Sequence, residues 1–93
     1  MEINQVNNEK NGYFEAIENN VQAGKMSYVW AGETKIIIDH TEVNPEFSGK
    51  GIGKQLLMAV VQNARENKIK ILPLCPFAKS VFDKDETIRD VLF

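Results

Sequence analysis

The apolar rhythm of the chain changes between Val43 and Leu57, and that change limits what the chain can fold into. Upstream, Met26, Tyr28 and Trp30 alternate with Lys25, Ser27 and Val29, the period-two spacing of a half-buried strand. Downstream, Ile52, Leu56, Val60 and Ala64, with Leu57 and Val61 beside them, form one stripe at the helical period,. The join carries glycines at alternate positions, Gly49, Gly51 and Gly53. Glycine admits φ > 0 and leaves no Cβ in the way of a close ligand. A helix that opens directly after such a turn aims its unpaired N–H groups and its positive dipole end at one spot. Phosphate binds in that arrangement, and Lys50 and Lys54 add positive charge nearby,.

The rest of the chain builds around this join. Ile3 to Val6 reads as a first strand, followed by a polar turn ending in Asn11-Gly12,. Tyr13, Phe14, Ala16 and Ile17 supply a second strand, Val21 to Trp30 a third, and the β-branched run Thr34 to Val43 a fourth,. Short links make these an antiparallel meander. The helix ends near Asn67-Lys68, and Ile69 to Leu72 reads as a fifth strand, placed parallel to the fourth by a right-handed crossover,. Proline favours the first helical position, so Pro76 predicts a second helix with Cys75 at its N-cap,. A short closing helix is expected between Asp83 and Phe93. The order is ββββαβα, an α+β fold.

At 93 residues the chain is read as one domain, residues 1–93, compact and short-looped,. A net charge of −2 argues against a general nucleic-acid binder,. No apolar run is long enough for a membrane span and no signal-peptide core is visible, which predicts a cytoplasmic protein,. A single Cys and a single His are too few for a structural zinc site built from this chain's thiols and imidazoles,.

The commoner nucleotide motifs do not fit the glycine turn. A Walker A loop requires Gly-Lys followed by Ser or Thr, whereas Gly53-Lys54 is followed by Gln55, and Ser48 stands where the first glycine belongs,. A dinucleotide fingerprint beginning at Gly49 would put Lys54 in a glycine position,. What remains is a pyrophosphate cradle of another type, the favoured reading, or a glycine-rich strand-to-helix link used only for tight turning.

Val43-x-Pro45-x-x-x-x-x-Gly51-Ile52-Gly53-x-x-Leu56-Leu57 resembles motif A of the GNAT superfamily, the acetyl-CoA-dependent N-acetyltransferases. The order of strand, cradle, helix, strand and helix from about Thr34 to Phe82 is similar as well. His40-Thr41-Glu42-Val43 before the cradle and Cys75-Pro76-Phe77 after the fifth strand look like a small single-domain branch of that superfamily. The resemblance implies an acyl-CoA N-acyltransferase-like mixed sheet, minimal and lacking the N-terminal acceptor-site helices. It implies that Val43, Ser48, Gly49, Lys50, Gly51, Ile52, Gly53 and Lys54 hold the pyrophosphate of acetyl-CoA, chiefly on backbone amides. It further implies that the fourth and fifth strands splay at the cradle to admit the acetyl-pantetheine arm. Ser48 departs from the Gln or Arg usual at its position.

Strict alternation in the fourth strand places Ile36, Ile38, His40 and Glu42 on one face and Ile37, Asp39, Thr41 and Val43 on the other. A β-bulge would shift that assignment. Backbone groups around Glu42 and Val43 are expected to meet the acetyl carbonyl and the pantetheine amides. His40 is the candidate base for the acceptor amine and Glu42 the second candidate. Cys75, at a helix N-terminus, is either a packed small hydrophobe or a nucleophile that pairs with His40 and carries the acetyl group transiently. Phe77 and Phe82 stand where longer family members often carry a tyrosine acid. The expected function is transfer of an acetyl group to an unidentified amine, either a small molecule or a protein lysine. The alternative is a CoA-binding module with little or no catalysis. Oligomeric state is left open.

Overall fold

The computed structural model describes residues 1–93. Its strands are β1 (Glu2–Asn7), β2 (Asn11–Glu18), β3 (Val21–Trp30), β4 (Lys35–Val43) and β5 (Lys70–Pro73). Helix α1 spans Ile52–Asn67 and α2 spans Pro76–Lys84. Two 3₁₀ turns, Pro45–Phe47 and Glu86–Val91, complete the order. The strands lie in one sheet in chain order, antiparallel from β1 to β4, with β5 parallel to β4. No helix is long and apolar enough to cross a membrane.

The local chemistry of the turns explains these boundaries. Asn8 Oδ1 accepts from the N–H groups of Lys10 and Asn11 and closes the β1–β2 turn. Asn19 and Asn20 both have positive φ, 52° and 64°, as a tight hairpin turn requires and asparagine tolerates. Lys68 ends α1 in the left-handed region, and Ile69 N–H returns to the Ala64 carbonyl. That cap uses Ile69, so β5 starts one residue later than the apolar run suggests.

Sheet alternation sorts the side chains into two layers. Phe14, Ala16, Met26, Tyr28, Ile36, Ile38 and Ile71 are buried on one face, against Ile52, Leu56, Leu57, Val60, Val61 and Ala64 of α1. Ala78 and Phe82 of α2 join the same core, as do Ile88 and Val91. Full burial of each large aliphatic side chain contributes about 1.5–3 kcal/mol, so this cluster determines how α1 sits on the sheet. The opposite face, with Tyr13, Lys25, Ser27, Val29, Ile37 and Leu72, is only half-buried. The chain end blunts the β5 edge: Leu92 bridges Ile71 in parallel, and Phe93 N–H donates to the Ile71 carbonyl at 2.8 Å. Arg65 of α1 clamps that end with two hydrogen bonds to Asp90, at 2.9 and 2.8 Å.

Strict alternation in β4 does not hold. Tyr28 pairs with Ile38 and Ser27 with His40, so Asp39 is an inserted residue, a β-bulge,. Beyond it the faces exchange. His40 and Glu42 pair with Ser27 and Lys25 on the open face, whereas Thr41 pairs with the buried Met26 on the helix side.

Candidate functional site

The bulge leads directly into the site. β5 accompanies β4 only as far as the Ile38–Pro73 pair. There the N–H groups of Leu74 and Cys75 both donate to the Ile38 carbonyl, each at 3.0 Å, and turn the chain away into α2. From Asp39 to Val43, β4 is therefore paired only with β3 and its other edge is free. Asn44 N–H donates to the Ala23 carbonyl on the β3 side at 2.8 Å. Backbone groups alternate direction along a strand. His40 and Glu42 thus turn theirs toward β3, while Thr41 and Val43 turn theirs into the free edge. Of the backbone groups expected to meet the ligand, those of Val43, and of Thr41 beside them, therefore lie on the free edge, whereas those of Glu42 face β3.

The glycine turn lies at the end of this edge. Asn44 caps the 3₁₀ turn through its side chain, accepting from Glu46 N–H at 3.0 Å, and Ser48 N–H closes it onto the Pro45 carbonyl at 3.2 Å. Gly49 and Gly51 have φ of 82° and 71°, and Gly51 is the N-cap of α1. The first intrahelical bond runs from Gln55 N–H to the Gly51 carbonyl at 3.0 Å. No protein group accepts from the N–H groups of Gly49, Lys50, Gly51, Ile52, Gly53 or Lys54. Gln55 Nε2 donates to the Lys50 carbonyl at 3.2 Å and steadies the turn from behind. Lys50 Nζ lies 5.3 Å from the Phe47 ring centroid. A helix start with a row of free donors and two lysines is suited to a polyanion.

Gly53 differs from the other two glycines. It is buried, and a Cβ there would lie 2.8 Å from Phe77 Cζ. Its role is the close contact between α1 and the first turn of α2. Gly24, in mid-strand, works the same way: a Cβ would fall 2.7 Å from Ile52 Cγ2 and 3.0 Å from the Glu42 carbonyl oxygen. Gly24 thus lets the first turn of α1 settle onto β3 and β4. Its part in the site was missed in the sequence, although a glycine inside a strand pattern signals close approach.

Cys75 is the N-cap of α2, in extended backbone and buried at 6% exposure. Its thiol donates to Thr41 Oγ1 at 3.2 Å. His40 has a different partner: Nε2 donates to Glu42 Oε1 at 3.0 Å, and both side chains are exposed. An ionised carboxylate only accepts, so Nε2 carries a proton in this contact, and Nδ1 is the ring atom that an uncharged imidazole offers as acceptor. The Cys75–His40 couple is not formed, because the bulge turns His40 to the open face and Thr41 toward Cys75. The structure brings Cys75 together with Thr41 and His40 with Glu42, one pair on each side of β4. Thr41 was missed in the sequence because strict alternation assigned it to the wrong face.

A family model described as GCN5-related N-acetyl-transferase matches residues 13–91. Among solved structures, a GCN5-like protein from Staphylococcus aureus is 39% identical with a TM-score of 0.71, the match covering 97% of this chain and 87% of that one. A ribosomal-protein-alanine N-acetyltransferase from Brucella melitensis biovar Abortus 2308 is 17% identical with a TM-score of 0.70, over 83% of this chain and 62% of that one. The aminoglycoside N-acetyltransferase AAC(6')-Iy in complex with CoA is 15% identical with a TM-score of 0.59, over 87% of this chain and 68% of that one. The last two likenesses are of fold alone. No curated protein matches the chain.

Proposed function

Because the chain belongs to the GCN5-related N-acetyltransferase family, we propose that it binds acetyl-CoA at the Ser48–Lys54 turn and transfers the acetyl group to an amine. The observation that carries this reading is the row of unpaired amides from Gly49 to Lys54, continuous with the unpaired edge of β4. The amides and the two lysines take the pyrophosphate, and the short Ser48 hydroxyl replaces a longer side-chain contact. The backbone groups of Thr41 and Val43 take the acetyl carbonyl and the pantetheine amides. AAC(6')-Iy, on the same fold, is in complex with CoA, which supports CoA as the ligand.

The chemistry follows from the two sides of β4. The acceptor reaches the thioester from the open face, where His40 Nδ1 accepts its proton directly or through water and Glu42 holds the ring. The amine nitrogen bonds to the acetyl carbon and the carbon–sulfur bond of the thioester breaks. The departing thiolate takes a proton from the Cys75 thiol or from water. Direct transfer is favoured over an acetyl-Cys75 intermediate because the thiol is buried and engaged by Thr41, while the His40 imidazole is engaged by Glu42.

Residue-resolved NMR titration with acetyl-CoA tests the binding. The amides of Ser48–Lys54, Thr41 and Val43 are expected to shift, and unmoved cradle amides would overturn the reading. An amine screen by mass spectrometry then tests transfer. His40→Ala should bind acetyl-CoA unchanged but lose most transfer; equal transfer by wild type and variant would remove His40 from the mechanism. No acetylation of any amine, with binding intact, would leave a CoA-binding module.

A further inference from the structure

At the opposite end of α1 from the cradle, a hollow of about 440 Å³ is lined by Gln5, Asn7, Trp30, Glu33, Asn63 and Asn67 among others. A second hollow of about 480 Å³ shares Asn7, Trp30 and Glu33 and adds Glu9, so the indole is a wall common to both. Asn63 and Asn67 stand about 16–22 Å along the helix axis from Ile52, at 1.5 Å per residue. The hollow is therefore separate from the acetyl-CoA site, and a ligand held in it would not touch the cradle.

The lining is organised around the buried Tyr28 hydroxyl. Burial raises its pKa, opposed by its hydrogen bond with Gln5, so it stays protonated. It accepts from Gln5 Nε2 and donates to Asn7 Oδ1, both at 2.9 Å. Trp30 Nε1 donates to the same oxygen at 2.9 Å. Both acceptor sites of Asn7 Oδ1 are thus taken, which fixes its amide and leaves Nδ2 free to donate outward. Asn67 Nδ2 donates to the Asn63 carbonyl at 2.9 Å. The Oδ1 atoms of Asn63 and Asn67 and the Glu33 carboxylate have no protein donor. The result is a hollow with preset donors and acceptors side by side and an aromatic wall.

We propose that this hollow binds a small polyhydroxylated molecule of monosaccharide size. Vicinal hydroxyls each donate and accept, which matches adjacent amide and carboxylate groups. The Trp30 ring packs against the C–H side of such a molecule, as an amphipathic aromatic does. No lysine or arginine lines either hollow, so anions are disfavoured, and the polar lining disfavours lipids. Glu33 and Glu9 add a preference for an ammonium group on the ligand.

Trp30 is the single tryptophan of the chain, so intrinsic fluorescence reports on this wall alone. Titration with glucose and with glucosamine, each to about 50 mM to cover the millimolar affinity of a few hydrogen bonds, should give a saturable change. The Trp30 indole N–H and the Asn7, Asn63 and Asn67 side-chain amides should shift in NMR while the cradle amides do not. Glu33 and Asn67 are exposed, so Glu33→Gln and Asn67→Ala should keep the fold. Asn67→Ala should weaken binding of both sugars by about fivefold, the loss of one hydrogen bond. Glu33→Gln should weaken glucosamine binding by a similar factor, because its amide oxygen still accepts but carries no charge. Tighter binding of glucosamine than glucose, lost in Glu33→Gln, would support the part given to the carboxylate. No saturable change with either sugar, or wild-type affinity for glucosamine in both variants, would overturn the proposal.

Discussion

Gly24→Ala tests the seat on which the cradle rests. The added methyl would lie 2.7 Å from Ile52 Cγ2, 3.0 Å from the Glu42 carbonyl oxygen and 3.2 Å from Leu56 Cδ1, whereas comfortable carbon contacts fall near 3.5–4.0 Å. Ile52 cannot swing aside. It is 3% exposed, and a β-branched side chain in a helix keeps essentially one χ1. The carbonyl belongs to β4 and cannot move without disturbing the ladder. The first turn of α1 must therefore lift from the sheet. Overpacking of this kind costs about 1–3 kcal/mol, and removing a glycine from a strand returns about 0.5–1 kcal/mol. The difference spans about 0–2.5 kcal/mol, and because neither Ile52 nor the Glu42 carbonyl can give way the expectation is destabilisation by about 1–2 kcal/mol. For a chain of this size that lowers Tm by roughly 4–16 °C, at about 4–8 °C per kcal/mol. Circular dichroism melts of wild type and variant measure it. Because Ile52 opens α1, acetyl-CoA binding should weaken as well, measured at a temperature where both proteins are folded. An unchanged or raised Tm would refute the close seating of α1 on β3, and with it the account of how the cradle is positioned.

Gly51→Ala meets no neighbour, since nothing lies within 4 Å of the added Cβ. Its cost is the left-handed backbone alone, about 1–2 kcal/mol, read as a lower urea midpoint with unchanged m-value. Thr41→Val removes the hydrogen-bond partner of Cys75. Loss of a hydroxyl that can turn to donate to the thiolate should slow iodoacetamide alkylation by about two- to tenfold, the worth of one hydrogen bond, while Thr41→Ser keeps the wild-type rate. The Asp90 carboxyl is held below its ordinary 3.8 chiefly by its hydrogen bonds from Arg65. A folded pKa below the unfolded one contributes stability above about pH 4 that is lost as pH falls through the folded value. Asp90→Asn should therefore lower Tm at pH 7 and flatten its decline below about pH 4, and parallel Tm–pH curves would exclude this linkage.

The residues alone determined most of the fold. The switch from period two to period 3.6 located four strands and α1, since which face is apolar follows directly from spacing. Pro76 located α2 and its N-cap, because proline fixes φ and has no N–H to lose. The row of free amides from Gly49 to Lys54 was legible for the same reason: the unpaired N–H groups of a helix start are a local property,. What tertiary structure alone decided is which side chains meet. One inserted residue, Asp39, reverses the faces of β4 beyond it, and a bulge is a matter of pairing with β3 that no spacing within β4 records. That reversal separates His40 from Cys75 and brings Thr41 to the thiol. In the same way, the missing Cβ of Gly53 looked like room for a ligand until the packing of α2 put Phe77 in that space. Trp30 looked like a sheet residue until β1 and the end of α1 closed a polar hollow beside it. Local spacing determines the elements, but the register between strands and the contacts between helices determine the chemistry each element presents.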